Sequence, residues 1–288
     1  MIKYLFLLVS ICATAQTQAQ RTNKKLQKQL TEMLSPFHGS IGIYVHDLHS
    51  NKIAAVNADS VFPTASMVKI PILIGIMDKI DKGELNYHQE LQYKDSLLYA
   101  GVDILGSFKN NEKIELGKAM MLMLTMSDNT ASLWLQSLAG TGTRINQILD
   151  SLGLVSTRVN SRTPGREANR SQYGWGQTSP REMATIMEKI SKGEIINKER
   201  SAQMLRLLGR NFWDEQAISQ IPPDVFVASK NGAVDESRSE VLFVNGRGAR
   251  YIFCVCTKNN RDQSWQNTNE AWTLTKKLSK LVWDYFSN

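Results

Sequence analysis

Apolar and polar residues alternate from 39 to 48 and again from 52 to 56, with His49-Ser50-Asn51 between the two runs. A period of two is that of a strand with one covered face, so the pair predicts a hairpin. The alternation returns at 225–229, 239–245 and 249–257, where Asn245-Gly246-Arg247-Gly248 supplies the residues that tight hairpin turns select. Between these groups the period lengthens to that of helices. Residues 66–82 predict a helix ending at Gly83, with a kink at Pro71, whose ring removes a backbone donor one turn in. Residues 114–134 are helical with a break at 125–129, and 144–152 and 180–192 form two more helices. The methionines Met120, Met121 and Met123 read as core filling. Amphipathic stretches at 23–34 and 265–286 predict a helix at each end of the chain. The segment 155–179 is polar and arginine-rich, and a loop of that length in a compact domain is usually functional.

Strands at both ends and helices between them predict an α+β architecture. It is a five-stranded antiparallel sheet flanked by the terminal helices, with an all-helical domain inserted in the chain. The expected boundaries are 21–62 with 205–288 for the sheet domain and 63–204 for the helical one, with the site at their interface. The chain has 288 residues, 42% of them hydrophobic, enough for a large core. Residues 1–20 are set apart from that core. Lys3 precedes an apolar run, and Ala13-Thr14-Ala15 has the small residues of a cleavage site, so this is read as a secretory leader cut after Ala15 or Ala19. A lipid anchor on Cys12 is the second option, with Ile11 before it a poor fit. No later apolar run is long enough to cross a membrane. The expected location is outside the cytoplasm, in the periplasm. For an exported protein, a net charge of +7 points away from nucleic acid and towards an anionic wall or an anionic small substrate. Cys254 and Cys256 share one side of a strand, too close along it to bridge, and read as small buried hydrophobes. A monomer without cofactor is expected.

Ser66 and Lys69 stand three residues apart before the helical run, so both lie on one helical face. A serine hydroxyl needs a neighbouring base to become a nucleophile, and a desolvated lysine can be that base. Two further motifs follow in order, Ser127-Asp128-Asn129 at the predicted helix break and Lys230-Asn231-Gly232 at the end of a predicted strand. Alone, the first reads as a helix cap and the second as a turn. Gly232 would let a substrate backbone come close.

Together the three motifs resemble those of the penicillin-recognising serine hydrolases, class A β-lactamases and penicillin-binding proteins. The leader, the element order and Thr178-Ser179-Pro180-Arg181-Glu182-Met183-Ala184 before a helix are similar to class A over most of residues 35–287. The resemblance implies an acyl-enzyme on Ser66, with Lys69 as its base or proton relay. Ser127 would pass the proton to the leaving nitrogen. Asn129 would bind the substrate amide and Lys69, and Lys230 the substrate carboxylate. The N–H groups of Ser66 and Ala233 would form the oxyanion hole.

The pattern is broken in two places. The family's deacylating Glu would fall near Thr163, and the only carboxylate between 151 and 181 is Glu167, which serves only if the loop is rebuilt. Asn231 stands where a hydroxyl is usual; its amide can still donate to a carboxylate. On the next strand, where the family often places an arginine for the substrate carboxylate, stand Arg238 and Ser239. Tyr173 and Trp175 are expected to anchor the loop by burying aromatic area. The four histidines, His38, His46, His49 and His88, do not show metal-ligand spacing, and no metal site is expected. Three functions fit: a β-lactam hydrolase; a D-alanyl-peptidase-like or other acyl hydrolase that turns β-lactams over slowly; and a non-enzymatic binder of wall fragments on the same fold.

Overall fold

A computed structural model describes residues 20–101 and 103–287 of the chain. The expected leader, apart from Gln20, and Cys12 lie outside the described residues. The principal sheet has six strands, not the expected five. In spatial order they are Arg21–Thr22, Lys52–Val56, Ser40–Asp47, Arg250–Lys258, Ser237–Asn245 and Phe226–Val234. All neighbours are antiparallel except the first pair, where Arg21 and Thr22 lie parallel to Lys52 and Ile53. Two residues carry no periodicity, which is why this edge strand has no trace in the pattern.

Both faces of the sheet are covered. Leu242, Val244, Tyr251, Phe253 and Val255 pack with Leu26 and Leu30 of helix Lys24–Glu32 and with Leu274, Leu278 and Val282 of helix Glu270–Ser287. The alternate residues Val241, Phe243, Ile252, Cys254 and Cys256 join a second core with Met67, Ile70, Ile72, Met120, Met123, Met183 and Met187. Burying each such side chain contributes about 1.5–3 kcal/mol, and the period-two pattern divides that burial between two helical layers. Cys254 and Cys256 are free, buried and 3.9 Å apart at sulfur. His46 faces helix Pro180–Lys192, with Nδ1 2.7 Å from Glu188 and Nε2 2.8 Å from Asn51.

Several element bounds differ from the sequence pattern, each for a local reason. Helix Lys69–Asp81 starts late enough to leave Pro71 in its first turn, where a missing donor costs nothing and no kink is needed. The last helix starts at Glu270 and not at 265, because the Asn269 side chain accepts the N–H groups of Ala271 and Trp272 at 3.1 and 3.3 Å. Lys198–Leu208, which the pattern did not mark, is a helix capped by Asn197. The long polar segment is partly ordered by its own elements: strands Arg158–Val159 and Gly176–Thr178, and the short helix Glu167–Tyr173.

Candidate active site

Ser66 lies in a single 3₁₀ turn, Ala65–Val68, that runs directly into helix Lys69–Asp81. Ala65 has φ +43°, a left-handed conformation unusual for a residue with a side chain. The turn is pressed against the strand Phe226–Val234. A Cβ at Gly232 would lie 2.5 Å from the Thr64 carbonyl oxygen and 2.7 Å from the Ser66 nitrogen. Gly232 is therefore required by the chain's own serine turn, not only by a substrate. The strand also continues past Lys230-Asn231-Gly232 to Val234, so the motif sits inside it rather than at its end.

Ser127 is placed by a change of helix type. Helix Leu116–Met121 widens into a π turn, Leu122–Met126, which ends as Ser127 takes φ +61°. Asp128 then caps helix Asn129–Leu138, one carboxylate oxygen accepting from Ala131 N–H at 2.7 Å. Its other oxygen accepts from the N–H groups of Ile104 and Leu105, so this fully buried acid ties those two residues to the same corner. The freed carbonyls of the π turn are taken by Phe212 N–H and the Trp213 indole.

Lys69 is fully buried at the meeting point. Its Nζ is 3.1 Å from Ser66 Oγ, 3.0 Å from Ser127 Oγ and 2.9 Å from Asn129 Oδ1, and it also donates to the Ser127 carbonyl. Burial, then the like charge of Lys230, holds its pKa well below the usual lysine range, with Asp128 opposing. A neutral amine has two hydrogens and one lone pair. The Asn129 and Ser127 carbonyl oxygens can only accept, and they take the two hydrogens. The lone pair is left for a hydroxyl proton of Ser66 or Ser127.

Lys230 is also fully buried, and burial brings its pKa down to about 7 against the opposing charge of Glu240. Its ammonium donates to the carbonyl and the side-chain oxygen of Asn231, at 2.9 and 3.0 Å. Arg238 is not in the site. In register it pairs with Ala233, and its side chain shares a face of its strand with Leu242 and Val244, which pack under the terminal helices. Its guanidinium lies against the rings of Trp265 and Trp272, 4.6 and 4.7 Å from their centroids, and donates to the carbonyls of Val234, Asp235, Ser237 and Ser264. Ser239, opposite Gly232, is the member of the pair on the site side.

A cleft of about 480 Å³ opens at Ser66. Asn129, Ala233, Tyr99 and Trp175 line it, with Tyr173, Gly174, Ser237, Lys258 and others. Tyr173 and Trp175 line the cleft; Trp175 also packs against the core, as expected of a loop anchor, and meets Tyr99 edge-on at 5.0 Å. Tyr99 and Lys258 were not legible as site residues, because neither belongs to a motif. Glu167 opens the helix Glu167–Tyr173 on the outer surface, and its carboxylate accepts from Gly165 N–H at 3.2 Å. The interior of that loop is held by uncharged amides and one cation: Arg166 donates to Asn160 and Gln177, and Asn169 to Gln177 at 3.0 Å. Among the cleft-lining residues the only carboxylate is Glu236.

A serine, a buried amine and a second serine thus meet at the seam between a helical layer and the sheet. Residues 25–286 match the β-lactamase enzyme family, and the chain belongs to it. It is 20% identical to β-lactamase VEB-1 of Pseudomonas aeruginosa over 99% of this chain and 98% of that protein. To β-lactamase SME-1 of Serratia marcescens it is 22% identical, over 88% and 89%. Among solved structures, a mutant of PBP-A captured as an acyl-enzyme complex with penicillin G superposes with a TM-score of 0.83 at 25% identity, covering 94% of this chain and 99% of that one. A class A β-lactamase representative from Bacteroides cellulosilyticus DSM 14838 gives 0.81 at 19%, over 94% and 100%.

Proposed function

We propose that this protein is an exported, monomeric serine hydrolase that opens β-lactam amides through an acyl-enzyme on Ser66. The observation that carries the reading is the Lys69 amine, buried, its pKa held well below the usual lysine range by that burial, and within hydrogen-bond reach of both serine hydroxyls. Ser66 Oγ attacks the lactam carbonyl as its proton moves to the Lys69 lone pair. The oxyanion that forms is held by the N–H groups of Ser66 and Ala233, donors worth about 2.7–4 kcal/mol in comparable sites. The C–N bond then breaks, and the nitrogen takes a proton from Ser127, which Lys69 resupplies. Asn129 orients the acyl amide. Lys230 and the Asn231 amide attract the substrate carboxylate. The PBP-A mutant's acyl-enzyme with penicillin G supports the same chemistry on this fold.

Release of the acyl group needs a base for water. Glu167 bonded to Gly165 on the outer surface favours a second reading of this step: acylation by β-lactams or D-alanyl peptides with slow turnover. Without a positioned base, hydrolysis slows by about 10²–10⁴. Intact-protein mass after penicillin exposure tests both. A mass gain equal to one penicillin, absent from Ser66→Ala, is the expected result. An adduct that persists supports slow turnover, and one that vanishes within seconds supports efficient hydrolysis. No adduct and no cleavage of a chromogenic cephalosporin would defeat the enzymatic reading.

A further inference from the structure

One cation in the cleft has no task in the acylation scheme. Lys258 ends the strand Arg250–Lys258 and lines the cleft together with Ser66. Its ammonium donates to the Val61 carbonyl at 2.8 Å and lies 5.0 Å from the centroid of the Phe62 ring. An ammonium has three donors. Among the described residues no other hydrogen bond and no ion pair engages it. Glu236, the one carboxylate in the same lining, is drawn off to Gln263, whose amide donates to it at 3.3 Å. Beside Lys258 lie Asn259 and Ser237, and the Ser237 hydroxyl is buried without a hydrogen-bond partner. Unspent donors thus gather at this end of the cleft. It is a different end from that of Lys230 and Asn231, neither of which lines it.

Asn129 and Ala233 flank Ser66 in this lining, and they are the groups assigned to the acyl amide and the oxyanion. In the acylation reading the arm that remains on Ser66 after the ring opens lies with these two groups, in the cleft whose wall Lys258 shares. We propose that Lys258 makes this end of the cleft a subsite for a carboxylate on the acyl arm of the substrate. The inference rests on the acylation reading given above. A partly buried ammonium with open donors recognises a carboxylate through charge-assisted hydrogen bonds, enough for about a tenfold preference.

The test uses penicillins built on one nucleus, with acyl arms of graded length ending in either a carboxylate or its methyl ester. The rate of Ser66 acylation is followed by intact mass, and the acid-to-ester ratio is taken within each protein, which cancels any general loss caused by a substitution. The expected result is an arm length at which the wild-type protein prefers the acid about tenfold. The preference should persist in Lys258→Arg, disappear in Lys258→Gln and reverse in Lys258→Glu. Equal ratios in wild type and Lys258→Gln at every length would overturn the proposal and leave Lys258 a clamp on Val61. If no arm acylates wild-type Ser66 at all, the acylation reading fails and takes this inference with it.

Discussion

Two lysines on the same corner are tuned in the same direction, although the roles proposed for them differ. Burial is the largest cause for both, and Lys69 is lowered further by Lys230. A lowered amine is a base over more of the pH scale, so Lys69 should keep acylation alive far below the ordinary lysine range. Lys69→Met, which keeps the volume and removes the lone pair, should slow adduct formation by about 10²–10⁴, measured by stopped mass analysis. Lys230 has the opposite requirement, since only its protonated form attracts a carboxylate. With a pKa of about 7, it is cationic below neutrality and loses its charge above. The second-order acylation rate with a carboxylate-bearing penicillin should therefore decline as the pH rises past about 7. In Lys230→Arg, whose charge does not titrate there, the decline should be absent. A flat wild-type profile across neutrality would refute this assignment.

At the scale of elements, the site depends on two contacts between segments distant in sequence. The strand of Lys230 can meet the Ser66 turn only because position 232 lacks a side chain. Gly232→Ala should push the two apart, cost about 1–3 kcal/mol of stability and reduce acylation more than it reduces folding. Denaturant midpoints compared with adduct rates would show whether the losses separate. Asp128 is the second contact. Asp128→Ala leaves the N–H groups of Ala131, Ile104 and Leu105 without their acceptor. Each buried orphan costs about 1–3 kcal/mol, and a urea midpoint unchanged from wild type would contradict the role. These contacts also mark the limit of what the sequence discloses. The longer strands were legible as apolar runs bounded by turn residues, but the single covered face that their alternation suggested is in fact two, since both faces of the sheet are buried. Ser66, Lys69 and Ser127 were legible because their chemistry demands fixed residue types. Gly232 was legible as a close approach but not as to what approaches it. Which of Arg238 and Ser239 faces the site was not legible, because one residue of register decides which face of a sheet a side chain takes, and Trp265 and Trp272, which hold Arg238, lie beyond the strand.

Over the whole molecule, the sheet and the helical layer are joined by an ion pair as well as by packing. His46 on the strand Ser40–Asp47 meets Glu188 on the helix Pro180–Lys192. Burial lowers the imidazole pKa, but the hydrogen bond and charge of Glu188 outweigh it and the net shift is upward. Burial raises Glu188, but His46 and Lys192 outweigh it and the net shift is downward. The histidine's contribution is lost as pH rises through its raised value, and the glutamate's is lost as pH falls through its depressed one. The pair should therefore stabilise most in mildly acidic solution. The urea midpoint of His46→Gln should fall furthest below wild type there, with the gap narrowing on both sides. A gap independent of pH would exclude the ion pair as its cause. Glu167 belongs to this scale too, since its helix lies on the outside of the fold. Glu167→Gln should leave adduct lifetime within about twofold, whereas a change of the size expected for a general base, about 10²–10⁴, would restore it as the deacylating group.

Ala65 and Ser127 both hold left-handed backbone, on either side of the Lys69 amine. Each such conformation costs an L-residue about 1–2 kcal/mol, so the corner that sets Ser66 beside its amine is under tension that the two cores must restrain. The most heat-resistant version of this chain is then not its most reactive one. Relaxing position 65 with glycine would raise the melting temperature and let the serine drift from its amine, so selection for durability and selection for speed would pull this turn in opposite directions.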